Sequence, residues 1–240
     1  MTMANPTSAQ TAQEYHTAYR AAFETNTLIQ GSFHTEKDGR QLACALGVIG
    51  PDIGGAKNCP AQIMPRWLAQ LVPAFFDRQK EADAFAWGLG FTAELARING
   101  KVPFSAIHDW HANVVCPLGI ETAEKCKHDP APHKTLQALH LHALAGEKIS
   151  KDDWQPVLKN AYAYANAYAY ANANAYAYAY AYANADAYAY ADAYANGDAY
   201  AYAKANANAY AYDNADAYAY ADAWNRLAVG MTECLKRVEA

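Results

Sequence analysis

At 240 residues, with 53% apolar and 18% charged residues and a formal net charge of −5, the chain has the composition of one large globular domain or two small ones. It shows no basic patch that could track phosphates, which argues against nucleic acid as a direct partner. It also lacks any apolar run approaching the roughly 18 residues of a membrane-spanning helix, so a membrane span is not expected.

The opening stretch, MTMANPTSAQTAQEY, has neither the basic head nor the apolar core of a secretory signal. The five cysteines (Cys44, Cys59, Cys116, Cys126 and Cys234) are odd in number and widely spaced. Free thiols in a reducing, cytoplasmic compartment are the expectation. The first amphipathic helix is marked by Tyr15, Tyr19, Ala22 and Phe23. From Gly31 to Cys59 the character changes. Asp38-Gly39 is a turn signal for a small hairpin or an irregular loop, and Pro51 and Gly54-Gly55 mark another loop.

Ile63, Trp67 and Leu71 have the spacing of a second helix, which Pro73 is predicted to kink or end for want of an N–H. Trp87, Phe91, Leu95 and Ile98 form a third stripe, closed by Asn99-Gly100. Ile107, His111, Val114 and Leu118 form a fourth, which Pro117 is predicted to bend or end. Leu136, Leu139, His140 and Ala143 form a fifth, stopped by Gly146. At the far end Trp224, Leu227, Met231, Leu235 and Val238 predict a terminal helix with Lys236 and Arg237 in its last turn.

Between these helices lies an alternating tract. From Ala161 to Ala223 every odd position is Ala except Gly197 and Asp213, and even positions are Tyr, Asn or Asp apart from Lys204. Seventeen of the 19 tyrosines fall here, and its six aspartates against one lysine carry the whole net charge. In a strand, one face would be Ala and the other Tyr, Asn and Asp, giving a β-solenoid or stacked sheet with Asn196-Gly197-Asp198 as a turn. In a helix the tyrosines would scatter around the axis, but Ala is the best helix former. Ser150-Lys151-Asp152-Asp153 resembles an N-cap ahead of the tract, and a helix follows it. The helical reading is preferred. The expected fold is mainly α: a helical globular domain over 1–150, the repeat tract over 151–224, and an amphipathic C-terminal helix over 225–240.

Few constellations suggest chemistry. In His108-Asp109-Trp110-His111, a helix would put His108 and His111 at i and i+3, close enough to share a metal, with Cys116 following. Zinc would suit such a set, but no Cys-x-x-Cys or His-Glu-x-x-His motif is present. The plainer reading makes His111 a hydrogen-bonded core residue and His108 a surface one, and no cofactor is predicted. Cys44 has apolar neighbours and is expected to be buried and inert, whereas Cys59, before Pro60 in a loop, is the better nucleophile candidate. Gly54-Gly55-Ala56-Lys57 lacks the spacing of a phosphate loop and is expected to be an ordinary turn.

The tyrosine pairs are the candidate partner-binding residues: Tyr162, Tyr164, Tyr168, Tyr170, Tyr188, Tyr190, Tyr200, Tyr202, Tyr218 and Tyr220. Exposed rings beside Asn and Asp suit contacts to protein, glycan or stacked bases. Packing of the same rings against Ala on neighbouring elements is the alternative.

Three segments carry a resemblance: Gly31-Ser-Phe-His-Thr35 with Asp38-Gly-Arg-Gln-Leu-Ala-Cys44, Asn58-Cys-Pro-Ala-Gln-Ile-Met-Pro-Arg-Trp-Leu-Ala69, and His108-Asp-Trp-His-Ala-Asn113. Followed by an Ala-rich tract and a final helix, they resemble a set of uncharacterised phage and prophage proteins over nearly the whole chain. There is a looser similarity to Ala-rich helical bacterial immunity proteins. The resemblance implies a bacteriophage setting in the host cytoplasm and supplies no catalytic residue. The preferred expectation is a non-enzymatic interaction protein that presents the Tyr-rich repeat surface to a protein partner, a second copy of itself among the candidates, with countering host defence as a role. The alternatives are a metal-binding enzyme or metal-stabilised domain at His108, His111 and Cys116, and a self-assembling filament or solenoid.

Overall fold

The computed structural model describes residues 8–125, 127–170 and 217–240, and these residues are mainly α-helical, as the apolar spacing predicts. They divide into two compact units, one built from Met1–Pro103 with Met231–Ala240 and the other from Phe104–Gly230.

The first unit begins with α1 (Ala12–Glu24), which a capping box starts: the Thr11 hydroxyl accepts from the Glu14 N–H at 3.2 Å, and the Glu14 carboxylate accepts from the Thr11 N–H at 3.1 Å. Tyr15 and Tyr19 are fully buried, and their hydroxyls donate to the Ala45 carbonyl at 2.9 Å and the Phe85 carbonyl at 3.1 Å. These bonds are what allow two phenols into a core.

The hairpin expected at Asp38-Gly39 forms from β1 (His34–Lys37) and β2 (Arg40–Ala43), with Lys37 opposite Arg40. Asp38 and Gly39 both have positive φ, 54° and 71°, as a two-residue hairpin loop requires. Gly54 to Lys57 lead into a single 3-10 turn, Ala56–Asn58.

Two helices complete this unit's core. α2 (Arg66–Asp77) starts after Pro65, so Ile63 lies in the turn before it, still buried. Met64 precedes a proline, and that position disfavours helical backbone. Pro73 neither ends nor delimits α2, which continues through it to Asp77. An interior proline costs about 3 kcal/mol. Phe75 and Phe76 just beyond it are fully buried, and burying each ring contributes about 1.5–3 kcal/mol, enough to offset that cost.

In α3 (Glu81–Arg97) the predicted stripe of Trp87, Phe91, Leu95 and Ile98 is buried, and the helix stops at Asn99 and Gly100, both at positive φ. A side chain on Gly100 would run into the backbone of Gln62 and Ile63. Trp87 stacks on Phe91 at 4.8 Å and donates from Nε1 to the Thr232 hydroxyl at 3.1 Å.

The second unit contains α4 (Ser105–Trp110), a π-helical turn (His111–Val115), α5 (Cys116–Lys125), α6 (Ala131–Leu144), α7 (Lys151–Tyr170) and α8 (Ala217–Lys236) through Gly230. The helix expected to bend or end at Pro117 instead opens into the π turn. The Cys116 N–H donates to the His111 carbonyl, five residues back. Pro117 has no N–H for Asn113 and its ring crowds that carbonyl, so a wider turn is how the helix passes the proline.

Leu136 and His140 of the fifth stripe are buried, and Gly146 closes α6 at φ 84°. Trp224, Leu227, Met231 and Leu235 of α8 are fully buried, whereas Val238 lies past its end. Trp110 Nε1 donates to the Leu227 carbonyl at 2.8 Å, and Arg226 pairs with Glu121 at 2.7 Å.

The alternating sequence enters and leaves as helix: Ala161–Tyr170 continues α7 and Ala217–Ala223 begins α8. The Ser150 signal is a working cap, since its hydroxyl accepts from the Asp153 N–H at 3.2 Å while Asp153 accepts from the Ser150 N–H at 3.2 Å. Residues 171–216, with Tyr188, Tyr190, Tyr200 and Tyr202, lie outside the described residues, as does Cys126.

Candidate functional site: a buried imidazole and indole cluster

In the second unit, four short stretches bring aromatic rings together. α4 supplies His108, the π turn supplies His111, α6 supplies His140 and the first turn of α7 supplies Trp154. His108 and His111 share a helix face because they are three residues apart. His111 stacks on His140, ring centroids 4.4 Å apart and planes 13° from parallel. The Nδ1 atoms of His108 and His140 are 3.0 Å apart. Trp154 covers both, stacked on His108 at 5.6 Å and tilted against His140 at 4.8 Å. Phe104 meets the edge of His108 at 5.5 Å, and Trp110 meets His111 at 5.2 Å.

The protonation of this group follows from burial. His111 and His140 are buried and His108 half-buried. Loss of water disfavours the imidazolium and pushes His111 down to about 3, reinforced by His108. Burial also holds His140 well below the usual histidine range, with His111 and His108 adding to the effect, and lowers His108. His133, buried in the first turn of α6, is pushed down to about 4 by the same cause. The cluster is therefore a set of neutral rings at pH 7.

The Nδ1 contact then requires one ring to donate from Nδ1–H and the other to accept on a bare Nδ1, so the two rings hold opposite tautomers. Whichever way the proton lies, Nε2 of His140 is buried with no hydrogen-bond partner among the described residues.

Of the three residues the sequence marks for a metal, the structure brings His108 and His111 into one cluster, and Cys116 is buried at the start of α5. Among the described residues no group of three His, Cys, Asp or Glu side chains is placed to hold a metal ion. His111 and His140 are poorly placed to share an ion, because lone pairs lie in the ring planes and these planes are 13° from parallel. His108 is not the surface residue expected, because Trp154 lies against it. His140, 32 residues from His108, is marked by the sequence as part of a helix stripe, and its pairing with His108 is what the structure adds.

The remaining candidates separate. His142 pairs with Glu147 on the surface at 2.7 Å. Among the described residues Cys44 is a buried and Cys59 a half-buried free thiol, and the Cys234 sulfur accepts from the Arg237 guanidinium at 3.0 Å. Burial pushes the Cys44 thiol up and the Cys59 thiol up to about 12, so neither is a thiolate near neutrality. Tyr162, Tyr164, Tyr168 and Tyr170 belong to α7, and Tyr218 and Tyr220 to α8.

Among the described residues no helix is long and apolar enough to cross a membrane. Comparison with family models, curated proteins and solved structures finds no match to the chain. Fold and site together define the class: a mainly α-helical protein with a neutral, ring-stacked histidine cluster beside the root of a repeat tract.

Proposed function

We propose that the chain is a non-enzymatic interaction protein of the phage or prophage type, in which a helical body carries the Tyr-rich tract as its recognition segment for a protein partner. One observation carries this reading: both roots of the tract are helices fastened within a single unit. α7 is fastened by its Ser150 cap and by Trp154 against the imidazoles. α8 is fastened by Trp224, which is fully buried, and by the Trp110 bond to Leu227. The two ends of the tract are therefore held by packed helices of the body, which fixes where a recognition segment would begin and end. The seventeen Tyr of the tract supply amphipathic rings, a residue type enriched at protein interfaces, and the intervening Asn side chains supply hydrogen-bonding groups. Countering host defence is the role that fits a phage setting.

The test replaces residues 171–216 with a short Gly/Ser linker. Light scattering follows self-association, and cross-linking in the bacterial host follows other partners, for the full chain and the shortened one. The reading expects the shortened chain to keep its helical circular dichroism and melting temperature and to lose its partners. Retention of every partner by a folded, shortened chain overturns it.

A further inference from the structure

Trp154 is the fourth residue of α7, and its indole lies on two imidazoles, His108 and His140, with His111 stacked behind His140. This contact joins the first turn of α7 to α4 and α6, with the π turn behind α6 through His111. We propose that His108, His111 and His140 form a proton-operated latch: neutral, they seat Trp154 and the start of α7, and acidification releases that helix from its own unit. The latch does not depend on the tract being a recognition surface.

The geometry decides which protons matter. One proton added to the His108–His140 pair is tolerated. His108 is half-buried, can hold its charge toward water and against the Trp154 face, and still donates from Nδ1 to a neutral His140. A second proton, on His140, sets two N–H donors against each other across 3.0 Å and removes the hydrogen bond between His108 and His140. A proton on His111 places a charge on a wholly buried ring 4.4 Å from its neighbour. Two protons, on His140 and His111, are therefore taken up on opening and excluded while the latch is closed.

The other titratable groups on the surrounding elements are engaged elsewhere or exposed. On α4, Asp109 accepts from the Asn113 amide at 2.6 Å. On α5, Glu121 pairs with Arg226 and Lys125, and Glu124 with Lys134 of α6. His142 pairs with Glu147, while His133 is neutral through burial. On α7, Asp153 caps Ser150, and Asp152 and Lys159 are exposed. Burial first, and the neighbouring imidazoles after it, hold His111 and His140 neutral.

Opening draws on the ordinary titration of a solvated histidine, near pH 6.5, not on the depressed values of the closed cluster. Below that pH the open form takes up two protons that the closed form refuses, so the open-to-closed ratio rises about a hundredfold per pH unit at its steepest.

The experiment is hydrogen–deuterium exchange on the full chain from pH 7.5 to 5.0, corrected for intrinsic exchange, with and without EDTA. Protection over 151–161 is expected to fall below pH 6.5 with a slope near two protons, while protection in α2 (Arg66–Asp77) persists. His140→Phe, which keeps a ring but takes no proton, is expected to reduce the slope to about tenfold per pH unit. Protection over 151–161 that is flat to pH 5.0, or that falls only in step with α2, overturns the latch. So does a dependence on EDTA, which would mark a bound metal. If His140→Phe does not fold, nitrogen chemical shifts of the wild-type imidazoles decide. A His140 that is neutral at pH 7.5 and gains its charge in step with the loss of protection over 151–161 supports the latch, and a His140 that becomes charged while that protection holds refutes it.

Discussion

The Nδ1 atoms of His108 and His140 lie 3.0 Å apart although 32 residues separate them in the chain. The pair ties α4 to α6 with a bond that exists only while one of its two nitrogens is unprotonated, so the stability of the second unit depends on pH. The fully buried rings set the size of the effect. In the folded chain His111 is held down to about 3 and His140 well below its usual range, whereas both titrate near about 6.5 when unfolded. Above that pH neither state binds the protons and no stability is lost. As pH falls through it, the unfolded chain gains protons that the folded chain refuses, and stability declines by up to about 3 kcal/mol per pH unit for the two rings. Urea midpoints at pH 7.5 and 5.5 measure this, and equal midpoints would show that the rings are already solvated.

Gly88 in α3 lies directly under the Tyr19 phenol, where a methyl group would overlap the ring. Gly88→Ala should gain helix propensity yet lose about 1–3 kcal/mol by overpacking. Tyr19 would also be driven off the Phe85 carbonyl it now reaches at 3.1 Å. Chemical denaturation of the variant gives the difference directly; a net gain in stability would mean that Tyr19 has room to move.

Thr11→Ala removes the hydroxyl half of the capping box at the head of α1. The expected loss is about 1 kcal/mol, seen as a lower urea midpoint, with exchange in the first turn of α1 accelerated most. Thr11→Ser should restore nearly all of it, because Ser caps at least as well.

Trp110→Phe deletes a buried indole N–H that donates to the Leu227 carbonyl, along with part of a fully buried side chain. A loss of about 1–3 kcal/mol is expected from the bond and the space left behind. Amide exchange should rise around Leu227 in α8 more than in α2. A uniform rise across both units would show that Trp110 supports the whole chain.

Local signals in the sequence were legible because they are decided within a few residues. Asp38-Gly39 fixed the hairpin loop since few residue pairs accept two positive φ angles, and Asn99-Gly100 and Ser150 marked helix ends for similar reasons. The terminal helix was legible from Trp224 to Leu235 because its apolar period is strong. What stayed hidden depends on distant residues. Pro73 looked like a helix end, and only the burial of Phe75 and Phe76 explains why it is not. His108 looked exposed because nothing near it in sequence foretells Trp154. His111 was marked as a core residue and also as a metal ligand, and its place in a ring stack depends on His140, in a different helix.

The π turn at His111–Val115 has an evolutionary and engineering corollary. A π turn holds, in effect, one more residue than the α turn it replaces, and an α-helix rotates about 100° per residue. Deleting one residue from this turn would return it to an α turn and leave Leu118 and Thr122 close to the faces they now bury, whereas the same deletion in the regular α3 would rotate everything downstream. The cost falls on Pro117, whose ring an α turn brings against the carbonyl four residues back. A single-residue deletion here is therefore expected to be tolerated best together with replacement of Pro117.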